Sequence, residues 1–462
     1  MGNRLFQLFE PKTPLDSERK IFSNAGLMQI IIPLFFEQLL AMTVGIADTF
    51  MISYAGDAAV SGVSLVNMVV TIFIYLFTAL AGGGAVVVSQ YIGSENRRDA
   101  DSSAGQLLTS AVVISIILTG VTLVWNSQLL QFLFRQVEPE VMDACVVYLR
   151  IMALSFPTLA VYNAGAALCR STGRTDLTMK VSIVSNLINI VGNAIGIFVL
   201  HAGVAGVAYP TLIARIFSAL MITVVCFDKT QDVSYQWKNI LMWYPTMIRR
   251  ILKIAVPNSV ETGLFQLVKV ALSSITALFG TAQIAANGIA QSFWSLAAMI
   301  GVTMGPVFIT VIGQCMGGGD IEAAEYYFEK LYRMTLIASV LWNALVFAVT
   351  PLVMLVYPLS DEITRLVIVL VLIHNIANAV TFPASGALPN GLRATGDVRF
   401  TMYVALTSTI AIRFALSVFL GIQMNLGVIG VAIAMCCDWI VRAGLFLCRL
   451  HSGKWKRFQV IG

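Results

Sequence analysis

The sequence predicts an all-α integral membrane protein, with twelve transmembrane helices in two six-helix lobes related by a pseudo-twofold axis along the membrane normal. Three observations predict it. Of 462 residues, 58% are hydrophobic and 11% charged, where an ordinary soluble domain has about a quarter charged, and the mean hydropathy is +0.83. Apolar stretches long enough to cross a hydrocarbon core of roughly 30 Å recur along the chain. The two halves also repeat at an offset of 224 residues. Pro33 falls on Pro257, Glu37 on Glu261, Gln90 on Gln314 and Gly93 on Gly317, and the run 203–208 (GVAGVA) falls on 427–432 (GVIGVA). Accidental matches in a chain rich in Leu, Val and Ala do not favour Pro, Glu, Gln and Gly, nor hold one spacing across whole helices.

In order, residues 1–26 form a polar tail. It mixes charges and prolines ahead of an apolar run too long for an h-region, so no cleavable signal peptide is expected. Within it, Arg4-Leu5-Phe6-Gln7-Leu8-Phe9 reads either as a segment lying on the inner leaflet or as free tail. The first lobe (27–226) holds spans near 27–52, 58–90, 103–125, 145–169, 178–200 and 203–226. A polar linker (227–249) follows, too short for a soluble domain. The second lobe (250–448) holds spans near 250–279, 282–313, 332–356, 364–391, 400–421 and 425–448, and a tail (449–462) closes the sequence. In membranes, repeats of this kind usually build transporters.

Lys and Arg orient the spans. One side receives Arg4, Lys12, Arg19 and Lys20, then Arg97/Arg98, Arg170/Arg174/Lys180 and Lys229/Lys238/Arg249/Arg250/Lys253. The same side continues with Lys330/Arg333, Arg393/Arg399 and Arg449/Lys454/Lys456/Arg457, whereas the opposite loops hold only Arg135 and Arg365. Both termini are therefore expected in the cytoplasm of a multi-pass plasma (inner) membrane protein. This bias accounts for the net charge of +5, which then gives no support to a nucleic-acid partner. The seven cysteines lie in or at the ends of apolar spans, without metal-ligand spacing or paired outer-loop positions. Neither disulfides nor a metal site is expected.

The chemistry lies in the charges left inside the spans, because burying a lone charge there costs several kcal/mol. The acids are Glu37, Asp48, Glu261 and Asp438, and the cations are Arg150, Arg215, Lys269, Arg413 and Arg442. Asp48 lies eight residues before Gly56 in a short turn, roughly 12 Å into the membrane at 1.5 Å per residue. Spans 5 and 6 meet in a tight turn around Ala202. Asn193 precedes it by nine residues and Thr211 follows by nine, so both sit at about 13–14 Å depth, with Asn189 one turn deeper on the face of Asn193. One carboxylate, two amides and a hydroxyl in one layer suit a hard monovalent cation or a protonatable acid. The plain alternative is that the amides only join helices by hydrogen bonds.

Glu37 and Glu261, each four residues after a helix-breaking proline, are candidate substrate or proton carboxylates, and Pro33 is a candidate hinge. Snorkelling to the inner interface is the plain alternative for both acids. Under the offset, Asp48 falls on Leu272, Asn189 on Arg413, Asn193 on Ser417 and Thr211 on Met435. Arg413 and nearby Lys269 disfavour a cation in the second lobe, so cation coupling is expected in the first lobe alone. Lys269 and Arg413 are expected to pair with Glu261 or Asp438, or to meet substrate, and Arg215 and Arg442 to snorkel or pair near the cytoplasmic ends. Three scattered histidines suggest neither a triad nor a zinc site. Trp294, Phe293 and Phe265 are candidates to line a cleft for flat aromatic cations.

These residues carry a resemblance. Pro33-x3-Glu37, the run 45–51 (GIADTFM), Gly56, the run 58–64 (AAVSGVS), the run 169–175 (CRSTGRT), Asn189-x3-Asn193 and the run 203–208 with Thr211 and Arg215 resemble the multidrug and toxic compound extrusion (MATE) family. The runs 279–287 (FGTAQIAAN) and 392–397 (LRATGD) extend the likeness over essentially the whole chain. The resemblance implies a secondary antiporter with two six-helix lobes and a central cleft, exporting organic cations or other amphiphiles against inward H+ or Na+. It implies no enzyme and no cofactor beyond the coupling ion, and the chain is expected to work as a monomer on a small-molecule substrate. Asp48 matches the family's first-helix Asp of the N-lobe cation site, Asn189, Asn193 and Thr211 match its partners, and Asn163 matches a neighbouring polar position. Many relatives carry Asp where this chain has Asn193, leaving one carboxylate here. Some members use a span-7 Glu, here Glu261, for substrate or protons, but the acidic partner expected on span 10 is missing from the run 381–386 (TFPASG). The alternative reading is a lipid-linked oligosaccharide or lipid flippase of the same superfamily.

Overall fold

The structure, a computed structural model, describes residues 9–11, 13–134, 137–355 and 360–461. Arg4 and residues 5–8 of the tail, Lys12 and Arg135 lie outside them. The described chain is helical without strands, and it divides into two compact units, Met28–Ser259 and Met1–Leu27 with Val260–Gly462.

The first unit is built from α1 (Asn24–Ile52), α2 (Asp57–Gly93), α3 (Arg97–Val124), α4 (Asn126–Leu133), α5 (Pro139–Leu154), α6 (Phe156–Ser171), α7 (Thr175–Ala194), α8 (Ala205–Phe227), the short α9 (Trp237–Leu241) and the start of α10 (Pro245–Ala277). The expected fourth span is a broken one. Pro157 opens α6, and α5 and α6 meet at Ser155 with a bend of 44°, as a proline in the first turn of a new helix allows. α2 packs along α3, α5 and α6, and α7 packs along α8. The expected linker also holds α9, which lies against α3.

The second unit continues with α11 (Thr281–Ala297), α12 (Met299–Gly317), α13 (Ile321–Met354), α14 (Asp361–Phe382), α15 (Leu388–Thr395), α16 (Val398–Thr407), α17 (Ala415–Val418) and α18 (Gly427–His451). π-helical turns join α14 to α15 (Pro383–Ala387), α16 to α17 (Ser408–Phe414) and run on from α17 (Phe419–Gln423). Among the described residues ten helices are long and apolar enough to cross a membrane, eleven with the bent α5–α6 pair. α10 completes the twelve expected spans. Its 33 residues include Arg249, Arg250, Lys253, Glu261 and Lys269, which dilute its apolar character.

The helices wear their apolar residues outside. Val224 (67% exposed) and Leu341 (66%) face out, while Asn193, Asn378, Ser417 and Asp438 have no exposure. Such an outer surface has no stable contact with water but matches lipid. Interior polar groups then have to satisfy one another.

The repeat reaches the backbone. Gly56 and Gly280 both open helices with positive φ, 99° and 95°, a conformation open to glycine without a Cβ penalty. His201 and Asn425 are twins in the left-handed region, at 48° and 55°. Asn96 and Asp320 cap α3 and α13 by accepting from Asp99 N at 3.1 Å and Ala323 N at 2.9 Å. The π turn Ile195–Val199 recurs at Phe419–Gln423. Turns, caps and irregular turns therefore share the offset of the sequence.

Residues 9–27 are docked within the second unit. Arg19 bridges Asp320 and Glu322, the buried Lys330 ammonium lies 2.7 Å from Glu10, and Tyr327 bonds both the amide and the carbonyl of Phe22.

Candidate functional site

In the first unit three helices bring four expected residues into one chain of hydrogen bonds. α1 supplies Asp48, α7 supplies Asn189 and Asn193 one turn apart, and α8 supplies Thr211. Asn193 Nδ2 donates to Asp48 Oδ1 at 2.7 Å and lies 3.3 Å from Asn189 Oδ1. Asn189 Nδ2 donates to Thr211 Oγ1 at 3.0 Å, and Thr211 donates on to Val207 O at 2.9 Å. Both amides are buried.

The partner of Thr211 is Asn189, not Asn193 as equal counts from Ala202 predict. The π turn Ile195–Val199 lies between Asn193 and the bend. It uses an extra residue per turn, so residue counting outruns true depth. A close crossing holds the two helices there. A Cβ on Gly196 would stand 2.1 Å from Gly206 O, and one on Gly206 would stand 2.7 Å from Gly196 O.

Asp48 is half-buried, with no Lys, Arg or His nitrogen within 4.0 Å among the described residues. Arg215 lies within electrostatic reach. Rather than snorkelling to an end, Arg215 donates to Ser155 Oγ at 2.7 Å, at the α5–α6 break. Asn193 Oδ1 is buried without a hydrogen-bond partner. The cluster thus offers carboxylate, amide and hydroxyl oxygens, the Asn193 amide oxygen among them buried and without a hydrogen bond. Asn163 is not joined to it: its Nδ2 is buried and unpartnered, and no hydrogen bond links it to the other four.

Glu37 and Glu261 neither snorkel nor stand free. Glu37 is buried and accepts from Arg170 Nη2 at 2.7 Å, Thr178 Oγ1 at 2.9 Å and Tyr162 OH at 3.3 Å. Glu261 receives Arg393 Nη2 at 2.7 Å on both oxygens, and Arg393 Nη1 donates to Asn390 at 3.0 Å. The sequence assigns both arginines to loops by position, and their pairing was missed. The signal was there, since each glutamate repeats after its proline and each arginine closes the fourth span of its half. Pro33 and Pro257 both lie inside continuous helices, α1 and α10.

In the second unit the twin of the Asp48 cluster has another character. Asp438, fully buried, takes Arg442 Nε at 2.9 Å and Arg413 Nε at 3.1 Å, with Ser408 Oγ donating as well. Arg413 thus meets Asp438, one of its two expected partners, while Lys269 has no ion pair among the described residues and is exposed. Arg442 also donates to Thr409. These are the twins of Ser218 and Ser185, which share a 2.6 Å hydrogen bond in the first unit. Of the aromatic residues expected to line a cleft, Trp294 stacks on Trp439 at 5.8 Å and Phe265 lies under Arg413 at 4.8 Å. Phe293 packs against an apolar cluster.

Comparison with known proteins agrees with the repeat. The MatE family model matches residues 33–195 and 257–419, two segments related by the same offset. The chain is 27% identical over 461 residues to an uncharacterized transporter, YisQ, of Bacillus subtilis (strain 168), with 98% of this chain and 99% of that one covered. It is 25% identical over 474 aligned positions to a probable multidrug resistance protein, NorM, of Thermotoga maritima, covering 100% and 98%. A crystal structure of MATE in complex with MaL6 has the same fold, with a TM-score of 0.85 at 19% identity over 97% of this chain and 98% of that one.

Proposed function

This chain belongs to the MatE family, and from that premise we propose a secondary antiporter that exports organic cations or other amphiphiles in exchange for H+ or Na+. The coupling ion binds at Asp48, Asn189, Asn193 and Thr211, with Asn163 as a nearby polar residue outside the first ring. Lys and Arg bias supports cytoplasmic termini and a plasma (inner) membrane setting, and the protein works as a monomer.

One observation carries the site. Asp48 is a carboxylate in an apolar span whose close partner is an amide rather than a cation. An unpaired charge there is expensive, and an arriving cation removes the cost. Asn193 is the group that reads the arrival. It now donates to Asp48, and its own oxygen has no partner. A sodium ion needs that oxygen turned inward, and a protonated Asp48 needs it as acceptor. Both demand the same amide rotation, which exchanges the Asn193–Asp48 N–H···O bond for an ion-bridged or O–H···O contact and so changes how α1 packs against α7. Pro33 gives α1 a place to bend. Glu37 and Glu261, held by arginines, we assign to fastening helix ends.

Ethidium efflux from reconstituted vesicles tests the reading, with sodium and pH gradients imposed separately. Asp48→Asn abolishes gradient-driven efflux while the protein stays folded. An Asp48→Asn protein that still exports in response to either gradient rules the assignment out.

A further inference from the structure

We infer that the second unit carries a binding site for an anionic group, a carboxylate on a planar aromatic substrate, with Lys269 and Arg413 as its cationic contacts. The inference rests on the transporter reading but not on the ion site at Asp48.

Charge comes first. Arg413 and Arg442 share the single carboxylate of Asp438, at 3.1 and 2.9 Å. Neither arginine can shed its proton, so the triad holds one positive charge in excess. The other acid inside these helices, Glu261, is committed to Arg393, and Asp397, just ahead of α16, to Arg449. Lys269 adds a further cation. It lies eleven residues before Gly280, roughly 16 Å into the membrane, too deep for easy snorkelling. Among the described residues it has no ion pair.

Geometry joins these charges. Phe265 and Lys269 are one turn apart on the same face of α10, and the Arg413 guanidinium lies over the Phe265 ring at 4.8 Å. Arg413 and Lys269 are therefore neighbours, within electrostatic reach of each other. Arg413 Nε stands 3.1 Å from Asp438 Oδ2 as an ion pair without a hydrogen bond, and its terminal nitrogens make no hydrogen bond among the described residues. A guanidinium with that edge open matches a carboxylate. It is set on the π turn Ser408–Phe414, a backbone irregularity found often at functional sites.

A second, independent observation points to a ligand. His374 is 1% exposed, and both ring nitrogens lack a hydrogen-bond partner. Its ring lies 6.4 Å from that of Trp439, which stacks on Trp294 at 5.8 Å, and the Trp294 indole N–H is likewise buried without an acceptor. Orphan donors next to a stacked aromatic pair and an excess positive charge suit a flat aromatic acid. In the first unit the twin of Arg413 is Asn189, so one scaffold carries opposite preferences in its two copies.

The test compares two dyes that differ only at one carboxyl, rhodamine 110 (free acid) and rhodamine 123 (its methyl ester), by fluorescence anisotropy on the full-length protein in a non-ionic detergent without any gradient. Wild type binds the acid about tenfold more tightly than the ester, the worth of one charge-assisted contact, and benzoate competes with the acid. Lys269→Gln, at an exposed position outside the buried triad, loses the preference, and Lys269→Arg keeps it. Asp48→Asn leaves it unchanged, which separates this site from the ion site. Equal or weaker binding of the acid, no saturable binding of either dye, or an undiminished preference in Lys269→Gln overturns the inference. So does loss of the preference in phosphatidylglycerol nanodiscs but not in phosphatidylcholine ones, which assigns the anion to a lipid headgroup.

Discussion

Glu37 shows how a residue's meaning depends on what reaches it. From its place four residues after Pro33 it reads as a proton or substrate carboxylate, yet Arg170 Nη2, Thr178 and Tyr162 all converge on it. With the Glu37 side chain 8% exposed and Arg170 21%, breaking the pair from one side leaves a buried charge, at a cost of about 3 kcal/mol. Glu37→Gln and Arg170→Gln should each lower the Tm in detergent. The double variant should lose less than their sum, a coupling of about 1–3 kcal/mol. Thermal unfolding of all four proteins checks it. Additive losses, or a Glu37→Gln protein that keeps its Tm but loses transport, would return Glu37 to the substrate path. Asp48 was legible because it and Glu37 are the only charges in their span. Arg170 and Arg393 were not, since a positive charge near a span end looks like loop whether it points to water or back into the helices.

Among elements, the α7–α8 pair positions the proposed ion site, and two glycines mark its close crossing. Sequence gave away the hairpin through the tight turn at Ala202 and the repeated run 203–208, but not the π turn that shifts the register of Asn189 and Asn193 against Thr211. A π turn has no residue signature; it is forced here by backbones that touch. Gly196 faces the backbone oxygen of Gly206, where a Cβ would be 2.1 Å away, and backbone cannot rotate aside as a side chain can. Gly196→Ala should therefore cost about 3 kcal/mol, the upper end for overpacking, and pull Asn189 from Thr211. The expected readout is a lower Tm with ion coupling lost, whereas Gly120→Ala, with open space around it, is neutral. A Gly196→Ala protein with unchanged Tm would show that the helices can part cheaply.

For the whole molecule, the offset of 224 residues explains why so much was readable. Two copies of one six-helix unit share turns, caps and π turns, so each half checks the other, and the span count followed from charge bias and length. Contacts with no twin were invisible, and the N-terminal segment is the main one. It reads as a polar tail, but Glu10 reaches Lys330, 320 residues away. Burial pushes the Glu10 carboxyl up, yet hydrogen bonds from Lys330 and Tyr326 and the nearby positive charge outweigh it, so the group ends below its ordinary value of 4.5. A depressed carboxyl stabilises the fold above its unfolded value, and the contribution fades as pH falls through 4.5 and below. Glu10→Gln should thus lower stability at pH 7 by about 1 kcal/mol, modest because the Glu10 side chain is 32% exposed. The deficit should shrink as pH drops from 5 towards 3. Thermal unfolding of both proteins across that range decides the matter. A gap that stays constant with pH means that Glu10 acts by shape alone, and the segment is held by Arg19 and Tyr327 without its charge.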